Sequence, residues 1–173
     1  QTYHETKEAA LKASGLDVYA SKKNDRVINA AAKNTDEIKA ELADSFAGTW
    51  IKYDEHKVAH QVVAIKGGGN LTKISNAPEN GFLIVDVKYS YQELEATREK
   101  ILTLFNKLSN GGEQLIFGIA IDDEKNKLVI RGYQQNLELI KSKILISGIE
   151  EDIISLEEQD GPMTLMGVLF GGS

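Results

Sequence analysis

Apolar residues along this chain switch between helical and strand spacing, and each switch marks an element. His4 to Ala13 reads as a helix closed by Ser14-Gly15. Asp17 to Lys33 predicts a second helix. A third opens at Asn34, an N-cap residue with Glu37 three positions on, the spacing of a capping box. In it Ile38, Leu42 and Phe46 recur every four residues and form one apolar stripe. Thr49 to Lys66 then predicts a β-hairpin turning at Tyr53-Asp54-Glu55-His56. Gly67-Gly68-Gly69-Asn70 and the stretch from Ser75 to Gly81 break regular structure and predict a flexible interdomain linker.

The second half is more regular. Phe82 to Tyr89 alternates, with Leu83, Val85, Val87 and Tyr89 on one face, so a strand is expected. Ser90-Tyr91-Gln92-Glu93 is a capping box, and the helix after it carries Leu94, Ile101, Phe105 and Leu108 on one side before Asn110-Gly111-Gly112. Leu115 to Ile121 and Lys127 to Arg131 predict a hairpin over Asp122-Asp123-Glu124. Leu137, Ile140 and Ile144 mark a short helix ending at Gly148, and Asp152 to Glu157 is a last strand. The fold class expected is α+β in two small subdomains. Residues 1–66 hold helices and a β-hairpin, 67–81 are a linker, and 82–157 form an open β-α-β-β-α-β sheet with at least one unpaired edge.

The tail, 158–173, is different in kind. Gly161-Pro162 stops the last strand, and Met163-Thr164-Leu165-Met166-Gly167-Val168-Leu169-Phe170 is apolar but too short for a unit of its own. Such a segment calls for a partner surface.

With 173 residues the chain can bury one good core or two small ones. Its 42% hydrophobic and 27% charged residues are those of a globular protein, and no apolar run approaches the ~20 residues of a membrane span. The chain has no cysteine, so no disulfide contributes to stability. It begins with Gln1 rather than Met, which leads us to expect a preceding segment. A net charge of −6, with few arginines, argues against a nucleic-acid partner and suits a cationic protein partner.

Catalytic and ligand-binding patterns are weak. His4, His56 and His60 have no convergent partners in sequence, so a triad or a metal site is not expected. The Gly67–Asn70 loop lacks the spacing and the lysine of a phosphate loop. Asp122-Asp123-Glu124 reads as a solvated turn without calcium-loop spacing. Asn70-Leu71-Thr72 is a glycosylation sequon, without meaning in a bacterial protein. No cofactor is expected, and no hydrolytic activity of the chain itself.

The remaining signal is a joint. Phe46-Ala47-Gly48-Thr49-Trp50-Ile51 leads from helix to strand through an Ala-Gly pivot and holds the only tryptophan, expected as a packing anchor. Glu41-Leu42-Ala43-Asp44-Ser45-Phe46-Ala47-Gly48-Thr49-Trp50-Ile51 resembles the helix-to-strand joint in the pro region of the α-lytic protease family. The likeness continues through Val62-Val63-Ala64 and through Gly81-Phe82-Leu83-Ile84-Val85-Asp86-Val87-Lys88-Tyr89-Ser90-Tyr91-Gln92-Glu93-Leu94, and more weakly to the end. Residues 1–33 and the 67–80 loop match poorly.

That resemblance implies the pro region of a secreted or periplasmic bacterial serine protease. It would assist folding of a chymotrypsin-like protease domain, in cis or in trans, inhibit it, and be removed by proteolysis. Met163, Thr164, Leu165 and Met166 would lie in the protease cleft. The pro–mature junction would fall between Met166 and Gly167, and Trp50 would anchor the first subdomain. No membrane partner is implied. A free-standing inhibitor of the same fold, or a domain with no protease partner, are the other readings left open.

Overall fold

The computed structural model describes residues 3–108 and 114–162, with side chains for residues 5–107 and 114–162. The chain divides into two compact units, Gln1–Val87 and Lys88–Ser173.

In the first unit, α1 (Tyr3–Ala13) ends as expected at Ser14-Gly15. The Leu16 N–H reaches the Leu11 carbonyl at 3.0 Å and the Gly15 N–H reaches the Lys12 carbonyl at 3.2 Å, which closes the last turn. Helix α2 (Lys22–Leu42) is capped by Ser21, whose hydroxyl accepts from the Asn24 N–H at 3.0 Å. This is one helix where the pattern predicts two, Asp17 to Lys33 and a second capped by Asn34. No Gly or Pro interrupts it, and Asn34 lies inside it, fully buried. Its amide donates to Gln61 Oε1 at 3.3 Å and to the Asn76 carbonyl at 3.1 Å. The expected capping box with Glu37 does not form.

Strands β1 (Phe46–Tyr53) and β2 (Ala59–Lys66) make the predicted antiparallel hairpin. The register shifts between Phe46 and Gly48, a bulge at which Gly48 takes φ +150°, unfavourable for any residue with a Cβ. Strand β3 (Leu83–Val87) pairs parallel with β2, giving the order β1-β2-β3. The strand expected to open the second subdomain therefore belongs to the first unit, and the division follows Val87. Its alternation suits either sheet; the decisive factor is its neighbour β2, whose Val62, Val63, Ala64 and Ile65 are all buried and need strands on both sides.

Residues 67–82 are consequently a crossover within the first unit, and they are tied down. The Ser75 N–H donates to Glu37 at 2.9 Å, the Thr72 N–H to Glu41 at 2.8 Å and the Lys73 N–H to Glu41 at 2.5 Å. Asn34, Glu37 and Glu41 stand three and four residues apart, on one stripe of α2. Burial raises the Glu41 pKa, but its backbone donors at Thr72 and Lys73 outweigh that and leave it lowered.

The second unit is built from α3 (Tyr91–Leu108), β4 (Gly118–Asp122), β5 (Lys127–Gly132), α4 (Leu137–Ile146) and β6 (Ile154–Glu158). From β3 onward the chain order is β-α-β-β-α-β, and the fold is α+β, as the pattern predicts. The capping box at the start of α3 forms: the Ser90 N–H donates to Glu93 at 2.7 Å and the Glu93 N–H to Ser90 Oγ at 3.1 Å. Leu94, Ile101 and Phe105 are buried with Leu128, Ile130, Ile140, Ile144 and Ile154 in one core, while the Leu108 side chain lies outside the described residues. β5 runs antiparallel to β4 and parallel to β6, in the order β4-β5-β6. β4 begins three residues later than Leu115, and β6 follows a 3-10 turn at Glu151–Ile153. A Cβ on Gly132 would meet Ile140 Cδ1 and the Leu115 carbonyl at 2.8 Å, so α4 packs close to the end of β5.

The two units share a plan that the residue pattern did not disclose. Each has a helix, a hairpin, and a third strand parallel to the hairpin's second strand. Each hairpin turn has one left-handed residue, Lys57 at φ +61° and Asn126 at φ +55°. Each turn is tied to a helix start by an asparagine. Asn24 donates to the Tyr19 and Lys57 carbonyls and accepts from the Ala59 N–H, at 2.8–2.9 Å. Asn126 accepts from the Tyr89 N–H at 2.9 Å and donates to the Tyr89 carbonyl at 2.8 Å.

Candidate functional site

The sequence points to three places: Trp50, the sheet edges, and the tail. Trp50 lies in β1 opposite Val62 and is half-buried. Strand parity sets it opposite to Thr49, Gln61 and Val63, since Gln61 is hydrogen-bonded to α2 through Asn34 and the Ala31 carbonyl. Trp50 therefore sits on the sheet face that carries Val62, Leu83 and Val85. Its indole N–H is buried and has no acceptor among the described residues.

Leu83, Ile84 and Val85 of β3 are 42%, 36% and 39% exposed. That is unusual for three successive apolar residues in a strand paired along one side. In the second unit β4 and β6 are the edges, each pairing with β5 alone among the described residues. β4 exposes Gly118 and Ala120 and carries no charge before Asp122. β6 ends in Glu157 and Glu158, and Glu157 is ion-paired with Arg131 at 3.1 Å. By charge and bulk β4 is the less protected edge.

Met163, Thr164, Leu165, Met166 and Gly167 lie outside the described residues. The chain leading to them is anchored as far as residue 161. The Gln159 N–H donates to the Gly132 carbonyl at 2.9 Å, and the Gln159 side chain donates to the Gly161 carbonyl.

Two titratable clusters were not foreseen. In the first unit His60 Nε2 lies 2.9 Å from Asp54 Oδ2. The hydrogen bond from His60, then that from the Val58 N–H, lowers the Asp54 carboxyl to about 2. In the second unit Lys88 meets Asp152 at 2.5 Å and Glu150 at 3.2 Å, while the Tyr89 hydroxyl lies within hydrogen-bond reach of both carboxylates and gives its single proton to one of them at a time. The bond to Asp152 holds the Lys88 ammonium in its charged form and raises its pKa. Burial, then the bond to Asp152, pushes the Tyr89 phenol up to about 12, and the Lys88 ammonium lowers Asp152. These residues are 61–64 positions apart in the chain, beyond the reach of local pattern.

Both clusters hold chain segments in place and neither contains a poised nucleophile. Ser90, the serine nearest the second cluster, uses its hydroxyl as the α3 cap. Among the described residues no group of three metal-ligating side chains converges, and no helix is long and apolar enough to cross a membrane. Comparison with protein-family models and with curated proteins finds no match.

Proposed function

We propose that this chain is the pro region of a secreted serine protease, a folding assistant and inhibitor of its protease domain. The observation that carries the reading is the pair of resembling segments. They fall on two of the joints where the chain changes element type, from α2 into β1 and from β3 into α3. The known kinetic logic of such proteases gives the role: folded and unfolded states are separated by a high barrier, so a binder of the folding transition state accelerates folding.

The open edge of β4 supports a physical route. A hairpin of the protease adds to Gly118–Asp122 by main-chain hydrogen bonds, which fixes a non-local β pairing whose loop-closure entropy otherwise slows folding. Met163–Met166 lie extended in the active-site cleft, with Met166 in the primary specificity pocket. The first unit, with Trp50, extends the contact.

The test uses a mature α-lytic-family protease, unfolded and diluted into native buffer with and without one equivalent of the chain. Recovery of protease activity after later removal of the chain, together with inhibition while it is present, is the expected result. Inhibition without recovery favours a free-standing inhibitor. A chain that does neither ends the proposal. Deleting residues 163–173 is expected to weaken inhibition and slow refolding.

A further inference from the structure

We propose that the groove between the first half of α2 and residues 76–81 binds a small carboxylate with an apolar body. The groove encloses about 230 Å³ within the first unit. One wall is a single stripe of α2: Lys23, Arg26, Val27 and Ala30 stand at i, i+3, i+4 and i+7. Ala59 and His60 form the floor, and Pro78 belongs to the opposite wall.

Charge placement singles this groove out. Lys22, Lys23 and Arg26 occupy the first five positions of α2, where the helix dipole disfavours cations. Neither Lys23 nor Arg26 has an ion pair among the described residues, whereas Lys88 has two and Arg131 and Lys141 one each. Two cations thus line one cavity of a chain whose net charge is −6, and Glu79 is the one carboxylate in its lining. A guanidinium reads a carboxylate with two parallel hydrogen bonds, and Lys23 adds a point charge beside it. Val27, Ala30 and Pro78 take the apolar body.

The walls are held in position. Asn24 ties the start of α2 to the Lys57 carbonyl and the Ala59 N–H, at 2.9 and 2.8 Å. Asn34 holds the Asn76 carbonyl at 3.1 Å, and the Gly81 N–H closes a turn on the Pro78 carbonyl at 2.8 Å. A groove fixed before binding loses little entropy when filled. Its volume is below the ~300–1,000 Å³ of drug-sized sites, which limits the ligand to the size of an acylated amino acid or the last residue of a peptide.

The test follows backbone amide shifts of the full chain on titration with N-acetyl-leucine, with N-acetyl-leucinamide as the neutral control. A ligand of about 12 heavy atoms should saturate with Kd on the order of 1 mM. Shifts should centre on residues 23–30, 59–60 and 77–81. The double variant Lys23→Gln/Arg26→Gln removes exposed side chains and should weaken binding at least about 10-fold, with the remaining spectrum unchanged; Lys100→Gln should bind as wild type. A peptide ending in Ala-Leu with a free carboxyl group, run beside its amide, separates the sources: tighter binding than the amino acid marks a protein C-terminus, and equal binding a free acid. Equal shifts with acid and amide, a double variant within twofold of wild type, or shifts reproduced by acetate alone overturn the proposal.

Discussion

Replacing Asn126 should separate hydrogen bonding from backbone strain in the second unit. Asn126 is 8% exposed, sits at φ +55°, and makes two hydrogen bonds to the Tyr89 backbone, at 2.8 and 2.9 Å. Those bonds tie the β4–β5 turn to the residue before the α3 cap. Each is worth about 1 kcal/mol net, so Asn126→Gly, which tolerates the left-handed conformation, should cost about 2 kcal/mol. Asn126→Ala loses the same bonds and adds the left-handed penalty of about 1 kcal/mol, for a total of about 3 kcal/mol. Urea unfolding reads the totals, provided the m-value is unchanged. Amide exchange at Tyr89 reads the local opening. If Asn126→Gly stays within about 0.5 kcal/mol of wild type, or Ala proves no worse than Gly, the turn is not held in this way.

Phe105, 5% exposed in the core of the second unit, should cost about 3–5 kcal/mol on replacement by Ala, and a change below about 1 kcal/mol in urea titration would place α3 on the surface. The Glu37→Gln/Glu41→Gln pair should speed amide exchange at Thr72, Lys73 and Ser75 while Val63 and Ile65 stay protected; unchanged exchange would mean that the carboxylates do not hold the crossover. Asp54, lowered to about 2 by His60 and the Val58 N–H, favours the folded state above the ordinary aspartate pKa of about 3.9, and its contribution fades as pH falls toward about 2. Asp54→Asn should therefore flatten the decline of the thermal midpoint between pH 4 and pH 2, and superimposable acid limbs for the two proteins would refute this.

What the residue pattern discloses is local. The Ser90–Glu93 box, the turn at Asp54 and the stripe Leu94, Ile101, Phe105 are settled within a few residues, and all three appear in the structure. What it hides is non-local. Asn34 carries the chemistry of an N-cap, but its partners Gln61 and Asn76 are 27 and 42 residues away, so it reads as a helix start and serves as a buried tie. Glu37 reads as the capping-box partner of Asn34 and Glu41 as part of the helix before the joint, although both receive the backbone of a loop more than 30 residues on. The cationic groove has the same origin. Lys23 and Arg26 look like ordinary surface charge until residues 76–81 close over the other side.

The shared plan of the two units accounts for the exposure of Ile84 in β3. Reaching a parallel third strand requires a crossover, and the crossover element is what covers that strand. In the second unit the crossover is α4, whose fully buried Ile140 and Ile144 lie in one core with Ile154 of β6, 7% exposed. In the first unit the crossover is the loop 67–82, which α2 holds by carboxylate-to-backbone bonds. It therefore ties the loop without fully covering β3, and Ile84, on the α2 face with Gln61 and Val63, stays 36% exposed, while Leu83 and Val85 lie on the opposite face. The same substitution of a loop for a helix creates the groove, because the loop's 76–81 segment stands away from α2 where a packed helix would fill the space. One difference between two otherwise parallel units thus leaves both Ile84 exposed and the cationic cavity open in the first.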